Sequence, residues 1–504
     1  MTADVVIIGA GPGGIFSAYE FANKRPDLKI AVFEAGNTLE KRHCPIDGKK
    51  VKSCIKCKTC AIMNGFGGAG AFSDGKYNIT NDFGGTLYEH IGKEKALELM
   101  RYVDGINVSH GGENTKMYST AGSRLKKTCM QNKLQLLEAS VRHLGTDINY
   151  VVLKNIFEEL KDRVEFKFNT PVTSLEVIGR EAGGSENPEP DTESGNLGDL
   201  RRDASDGGIE GAGPDMPVDT GDKEKARYRV HFGENEYIDC RYVIASVGRS
   251  GSSWMEQICR DLNIPTLSNR VDIGVRVELP AVIFSHLTDE LYESKIVYRT
   301  EKFEDRVRTF CMNPYGSVVN ENTNGIVTVN GHSFEDPAKR TANTNFALLV
   351  SKHFSEPFKD SNGYGESIAR LSNMLGGGVI VQRFGDLERG RRSNKTRIAE
   401  GTVRPTLDAT PGDLSLVLPK RILDGIIEMI YALDKIAPGT ANDDTLLYGV
   451  EVKFYNMEVE LDENLETRYP GFYCIGDGSG VTHSLSHASA SGVFVANRII
   501  EELG

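Results

Sequence analysis

The chain contains no run of roughly 18 apolar residues, the length a helix needs to cross a bilayer. It also shows nothing resembling a signal peptide, because strand-like residues already begin at Asp4, and a cytoplasmic protein is therefore expected. Bases are in deficit, 59 Lys and Arg against 71 Asp and Glu, and no basic run is interleaved with aromatics. Neither nucleic acid nor a membrane is expected as a partner. Even the acidity is local: Glu181 to Glu224 holds thirteen acids against Arg201, Arg202 and Lys223, most of the formal net charge of −12. That stretch is rich in Gly, Pro, Ser and Asp with little to bury, so it reads as a disordered acidic insertion at about 181–226.

What is present begins at the first strand. The apolar run Val5-Val6-Ile7-Ile8 leads into Gly9-Ala10-Gly11-Pro12-Gly13-Gly14, and a helical pattern follows through Ile15, Phe16, Ala18, Phe21 and Ala22. Twenty residues past Gly14, at the end of the apolar run from Ile30 to Phe33, stands Glu34. Strand, Gly-x-Gly-x-x-Gly, helix and a distant acid form a dinucleotide fingerprint. Gly9 permits the turn, Gly11 lets backbone approach a pyrophosphate, Gly14 lets helix pack on strand, and Glu34 binds a ribose diol. The phosphates then lie on the free N–H groups at the helix start. An acid at this position argues against a 2′-phosphate, which leaves FAD or NAD.

The other end of the chain favours FAD. Gly471-Phe472-Tyr473-Cys474-Ile475-Gly476-Asp477-Gly478 is an apolar strand ending in Gly-Asp before a small-residue helix, and it resembles the second FAD motif of the glutathione-reductase-like flavoproteins. Tyr242 to Gly251 resembles the Ala-Thr-Gly segment of the same proteins, with Ser246-Val247-Gly248 in place of the usual letters. Residues 64–76, Asn-Gly-Phe-Gly-Gly-Ala-Gly-Ala-Phe-Ser-Asp-Gly-Lys, closely resemble the signature of a family described as uncharacterised FAD-dependent dehydrogenases. Further matches are His143 to Asp147, Gly274 to Glu278, Arg308 to Pro314 and Asn330-Gly331-His332. The resemblance implies a cofactor site made of Gly9, Gly11, Pro12, Gly13, Gly14, Glu34, Arg42, Gly67, Gly68, Ala69, Gly70, Ser73, Asp74, Gly75, Val172, Gly248, Gly476, Asp477 and Gly478. It implies flavin and leaves the substrate open, beyond a small organic molecule oxidised or reduced by hydride transfer at flavin N5.

The expected architecture is α/β, a glutathione-reductase-like FAD-binding Rossmann domain with an inserted α+β substrate domain. Residues 1–250 are read as the first part of the FAD domain, including a helical segment at 87–160 in which Leu134, Leu137, Val141 and Leu144 share a face. Residues 251–440 form the substrate domain, with strands at Val271–Glu278, Ile296–Arg299, Val307–Met312 and Ile326–Val329, and helices around Phe346–Phe354 and Arg421–Leu433. Residues 441–504 close the FAD domain. No second strand-glycine-helix fingerprint occurs, so substrate and oxidant are expected to share one flavin, with NAD(P)H at most a transient electron donor.

Lys76 is read as a charge beside the reduced flavin, and His332 and His483 as proton-transfer candidates. Arg276, Glu278 and Arg340 could fix an anionic or carbonyl substrate. His483 and His487 are four apart, a spacing that suits metal but lacks a third ligand. Cys44, Cys54, Cys57 and Cys60 are compatible with an iron-sulfur cluster, structural zinc, a redox dithiol or plain thiols. Cys311 could face the flavin or be an inert core thiol. The alternative function is a flavin-binding redox sensor or partner-binding protein using the four clustered cysteines.

Overall fold

The structure, a computed structural model, describes the whole chain except residues 46–50, 52–54, 56, 74, 179–226, 292–293, 324, 334–336, 355–357 and 359. The acidic insertion, Cys54 and Asp74 lie outside the described residues.

Thr2–Ile8 is the centre of a seven-stranded sheet. It pairs in parallel with Ile30–Phe33 on one side and Glu236–Ala245 on the other. Glu165–Lys167 and Phe472–Cys474 extend this parallel row outward. The first half of Glu236–Ala245 also pairs antiparallel with Tyr228–Phe232, which pairs in turn with Val172–Val177. Val5 to Ile8 are all buried because the strand is covered on both faces. Val5 and Ile7 join a core shared with helices Pro12–Lys24, Lys93–Asn107, Gly145–Leu160 and Leu485–Leu503. Val6 and Ile8 point the other way, into a core with Val172, Val230 and Met255.

The second large sheet has eight strands, in the order Thr410–Pro411, Ile380–Arg383, Leu446–Phe454, Val271–Pro280, Asn343–Lys352, Arg306–Asn313, Ile296–Arg299 and Leu134–Leu136. Helix Lys420–Asp434 covers one face with Ile422, Ile426, Met429 and Leu433. A hairpin, Ser317–Thr323 with Ile326–His332, rises beside it. Lys76–Ile79, Ser140–His143 and Met117–Ser119 form a small third sheet.

Three expectations are corrected. The segment 87–160 is not continuously helical: helices at Leu87–Ile91, Lys93–Asn107, Arg124–Gln131 and Gly145–Leu160 alternate with three short strands. Leu134 and Leu136 alternate with polar neighbours and pair with Ile296–Tyr298, and the three- and four-residue spacings that suggested a helix are coincidental. Phe346 to Val350 is a buried central strand, whose continuous apolar run has no period to separate it from a buried helix. Leu446–Phe454 belongs to the middle of the eight-stranded sheet, so the chain rejoins the first sheet only at Phe472.

The two terminal helices touch through glycine. Ser17 Oγ donates to the Gly492 carbonyl at 3.0 Å, and a Cβ at Gly492 would lie 2.1 Å from the Gly13 oxygen. Alanine normally improves a helix interior by nearly 1 kcal/mol over glycine. Here Gly492→Ala should instead destabilise the protein by about 1–3 kcal/mol through overpacking, read as a lower midpoint in thermal or urea unfolding.

Candidate functional site

One cavity of about 1470 Å³ runs from the carboxyl ends of the first sheet to the second sheet. At its near end, strand Thr2–Ile8 stops at Gly9, whose φ of +104° and lack of Cβ allow the Ser246 carbonyl to approach; a Cβ there would stand 2.4 Å from that oxygen. Gly14 serves packing, since its Cβ would meet the Gly9 oxygen at 2.0 Å. Gly11 differs: no protein atom lies within 4 Å of where its Cβ would point, although it lines the cavity. Nothing within the protein requires glycine there, which is what a bound group approaching the backbone would explain. Gly248 shows the same open space. The helix that starts at Pro12 has no side-chain cap and no acid in its first turn, so its positive end faces the cavity uncompensated.

Glu34 lines the same end. Its carboxylate accepts from the N–H groups of Ala10, Gly36 and Gly65, each at 2.8 Å, which fixes it in place with acceptor capacity left over. Thr170, Pro171 and Val172 form the wall beside it. Gly68, Ala69, Gly70 and Ser73 contribute the middle, and Gly476 with Asp477 the far side. These residues fit an extended dinucleotide with an uncharged ribose, and the volume exceeds that of an ordinary single-ligand pocket.

Five of the expected cofactor residues do not line the cavity. Besides Gly14, Gly67 donates its N–H to the Ala10 carbonyl at 2.8 Å, Gly75 accepts from Leu144 at 3.0 Å, and Gly478 donates to Val247 at 2.8 Å. Arg42 is corrected to a scaffold role: its buried guanidinium is spent on the carbonyls of Ala61, Ile62 and Phe66, and burial pulls its pKa down to about 10. Among the described residues no three His, Cys, Asp or Glu are grouped to hold a metal.

Lys76, His332 and His483 all line the cavity. His483 Nδ1 lies 2.8 Å from Asp477 Oδ1, and Arg249 stands 3.4 Å from the other carboxylate oxygen. Burial alone would raise the Asp477 carboxyl, but the hydrogen bond to His483 and the charge of Arg249 outweigh it and hold the group below its ordinary pKa. His487, by contrast, is fully buried with its Nδ1 on Ser484 Oγ, and burial followed by the charge of His483 pulls it to about 3. It is a neutral core histidine. Arg276 and Glu278 are likewise internal: Arg276 forms a two-pronged ion pair with Glu451 at 2.8 and 2.9 Å, and Glu278 accepts from Asn343, Thr406 and Tyr448. Arg340 and Cys311 do reach the cavity.

The far end is built by residues that spacing did not reveal. Arg308 Nη2 donates to Asp272 Oδ2 at 2.5 Å and lies 2.9 Å from the Tyr455 hydroxyl, which itself donates to Asp272 at 2.8 Å. The Tyr455 ring meets His483 edge to face at 5.1 Å and carries the Arg270 guanidinium at 4.8 Å. Arg308 stood in a matched motif, but Arg270 and Tyr455 flank strands far apart in the chain, so only the fold joins them.

Two consequences are measurable. Gly11→Ala should leave the stability of the cofactor-free protein within about 0.5 kcal/mol, while weakening FAD binding by about tenfold or more in a flavin titration. Asp272 is fully buried, and the charges of Arg308 and Arg270 outweigh the upward push of burial to hold its pKa down to about 2. An unfolded aspartate titrates near 3.9, so this stabilisation is complete above about pH 4 and is lost as pH falls through about 2. Asp272→Asn should flatten that loss and cost about 3–5 kcal/mol at neutral pH by stranding Arg308, both read from urea unfolding across pH.

Residues 271–454 match the family model described as FAD-dependent protein, C-terminal domain-like, and residues 1–39 match the Thi4 family model. An uncharacterized protein of Clostridium beijerinckii is 27% identical over 521 residues, covering 99% of this chain and 80% of its own length. Thiamine thiazole synthase of Phaeosphaeria nodorum is 68% identical over 34 residues, only 7% of this chain and 10% of that protein. Among solved structures, glycine oxidase from Geobacillus kaustophilus aligns over 99% of this chain and 95% of its own with 9% identity and a TM-score of 0.37. The quinol fumarate reductase FrdA of E. coli aligns over 99% and 70% with 11% identity and a TM-score of 0.38. At such scores the fold rests on the strand order above. The family matches fall on the dinucleotide fingerprint at one end and on the eight-stranded sheet at the other.

Proposed function

We propose that the protein oxidises or reduces a small organic substrate at the far end of the cavity, with His483 as the proton carrier. The observation that carries this reading is the His483–Asp477 pair, placed between the nucleotide cradle and the Arg308–Tyr455 cluster. When bound, FAD supplies the two-electron chemistry, accepting or giving hydride at N5.

Asp477, held as a carboxylate, can only accept a hydrogen bond. His483 Nδ1 must therefore be the donor, which leaves Nε2 of the neutral ring to take a proton. In the dehydrogenase direction a bound FAD would supply the acceptor for the substrate's hydride, and Nε2 of His483 would take the O–H or N–H proton left behind. In the reductase direction both transfers reverse. Lys76, on the cavity wall, is read as the positive charge beside the reduced ring, and His332 as a second polar contact for substrate. A nicotinamide donor would enter through the same cavity, and the clustered cysteines take part in no step of this reading. The cytoplasmic location is part of the same proposal, from nine cysteines read mostly as free thiols. No helix among the described residues is long and apolar enough to cross a membrane.

Photoreduction of the FAD-loaded protein, followed by air, should bleach and restore the flavin; a flavin that neither light nor oxygen reaches would overturn the enzyme reading. His483→Gln should retain its flavin but lose about 10²- to 10⁴-fold in the rate at which an active substrate exchanges electrons with it, measured by stopped flow.

A further inference from the structure

We infer that Arg270 and Arg308, with the Tyr455 and Phe310 rings as walls, recognise the carboxylate of a small organic acid. This names the substrate class of the site proposed above and rests on that reading.

The charge on the cavity wall sets the sign. Among the described residues, eight Lys and Arg line it against Glu34, Asp289 and Asp477, in a chain whose net charge is −12. Glu34 is held by three backbone N–H groups and Asp477 by His483 and Arg249, so neither is the counterion of Arg270 or Arg308. A dinucleotide pyrophosphate does not account for them either, because its place is at the start of the Pro12–Lys24 helix.

The geometry of the two arginines sets the chemistry. Among the described residues, every hydrogen bond from the Arg308 guanidinium leaves from Nη2, toward Asp272 and Tyr455. Nε and Nη1 are not among the polar atoms that are buried without a partner, so they open onto the cavity. Arg270 goes further: its guanidinium lies on the Tyr455 ring, makes no hydrogen bond or ion pair among the described residues, and leaves Nε unpartnered. Asp272 accepts from Arg308 and Tyr455 on Oδ2 and acts on Arg270 through its charge, with no hydrogen bond between Asp272 and Arg270. Planar guanidinium forks match a carboxylate, and charge-assisted bonds of this kind are about twice as strong as neutral ones. The Arg308 guanidinium also lies over Phe310 at 4.6 Å, so the pocket combines cationic donors with apolar walls suited to an organic anion rather than an inorganic one. His483 touches the same tyrosine, so an acid held by the two arginines would lie beside it.

The test is a titration of the protein, with and without FAD, by benzoate and succinate, by their neutral counterparts benzamide and succinamide, and by inorganic phosphate. Thermal stability is followed in both forms and flavin absorption in the loaded one. The acids should raise the melting temperature and perturb the flavin, and the amides should do neither. Arg270→Gln, which removes no hydrogen bond within the fold, should weaken the acids by about tenfold or more with flavin content unchanged. Arg308→Lys, with its folding checked by the same melts, should weaken them as well. Amides that bind as well as acids, phosphate that binds as well as carboxylate, or an Arg270→Gln protein with unchanged affinity would each overturn the inference. If the protein takes up no FAD, the oxidoreductase reading fails, and the melts of the cofactor-free form still decide whether a carboxylate site exists.

Discussion

No side chain fits where the first sheet delivers its strands to the cavity. Thr2–Ile8, Glu236–Ala245 and Phe472–Cys474 end side by side, and at Gly9, Gly13 and Gly476 a Cβ would stand 2.4, 2.6 and 3.0 Å from atoms of Ser246 or Val247. The terminal helices then close on each other at Gly13 and Gly492, so the beginning and end of the chain are locked together at the cradle. Everything at the site inherits its position from that crowding. Glu34 can reach the N–H groups of Ala10 and Gly65 because the adjacent strand ends level with them, and Asp477 projects into the cavity because Ile475 and Gly478 are bonded to Ala245 and Val247.

Crowding at one end is matched by charge at the other. The net charge would suggest an acidic protein that repels anions, yet the acids concentrate in the segment around residues 181–224 and the cavity wall is basic. Net charge is a statement about solubility and long-range steering, while recognition depends on which charges share a low-dielectric cleft. Asp272 shows how such a cleft is held together: one buried carboxylate anchors Arg308 and Tyr455, and its removal would leave a buried cation without a counterion.

The legible parts of the sequence were those in which chemistry is local. The turn from Gly9 to Gly14, the acid Glu34 at the end of the next strand, and the closing Gly476-Asp477 each carry a contiguous signal, and the structure brings them to one cavity. The strands Ile296–Arg299 and Arg306–Asn313 were also readable, because β-branched and aromatic residues cluster there. What failed was local signal without a period. Phe346 to Val350 is apolar throughout and buried on both faces, and Leu134 to Leu144 was given a helical spacing that two short strands happen to reproduce. Arg42, which the resemblance put among the cofactor residues, is instead taken up by three backbone carbonyls. Arg270 and Tyr455 were invisible because their partnership exists only after Val271–Pro280 and Leu446–Phe454 pair as neighbours.

That last pairing has a mechanical consequence. Tyr455 follows directly on the strand Leu446–Phe454, and its hydroxyl completes the Arg308–Asp272 cluster while its ring touches His483. The next residue, Asn456, donates to the Asp477 carbonyl at 2.6 Å, and Asn269 donates to the Gly480 carbonyl at 3.2 Å. The segments that flank two strands of the second sheet are therefore bonded to the backbone that runs from Asp477 to His483, and not merely packed against it. The Tyr455 side chain is bonded to Arg308 and Asp272 at its hydroxyl and meets the ring of His483 directly, with no loop between them. If the arginines take the substrate's carboxylate and His483 its proton, as proposed, one aromatic side chain joins the two, because Tyr455 bonds to Arg308 and Asp272 and meets His483.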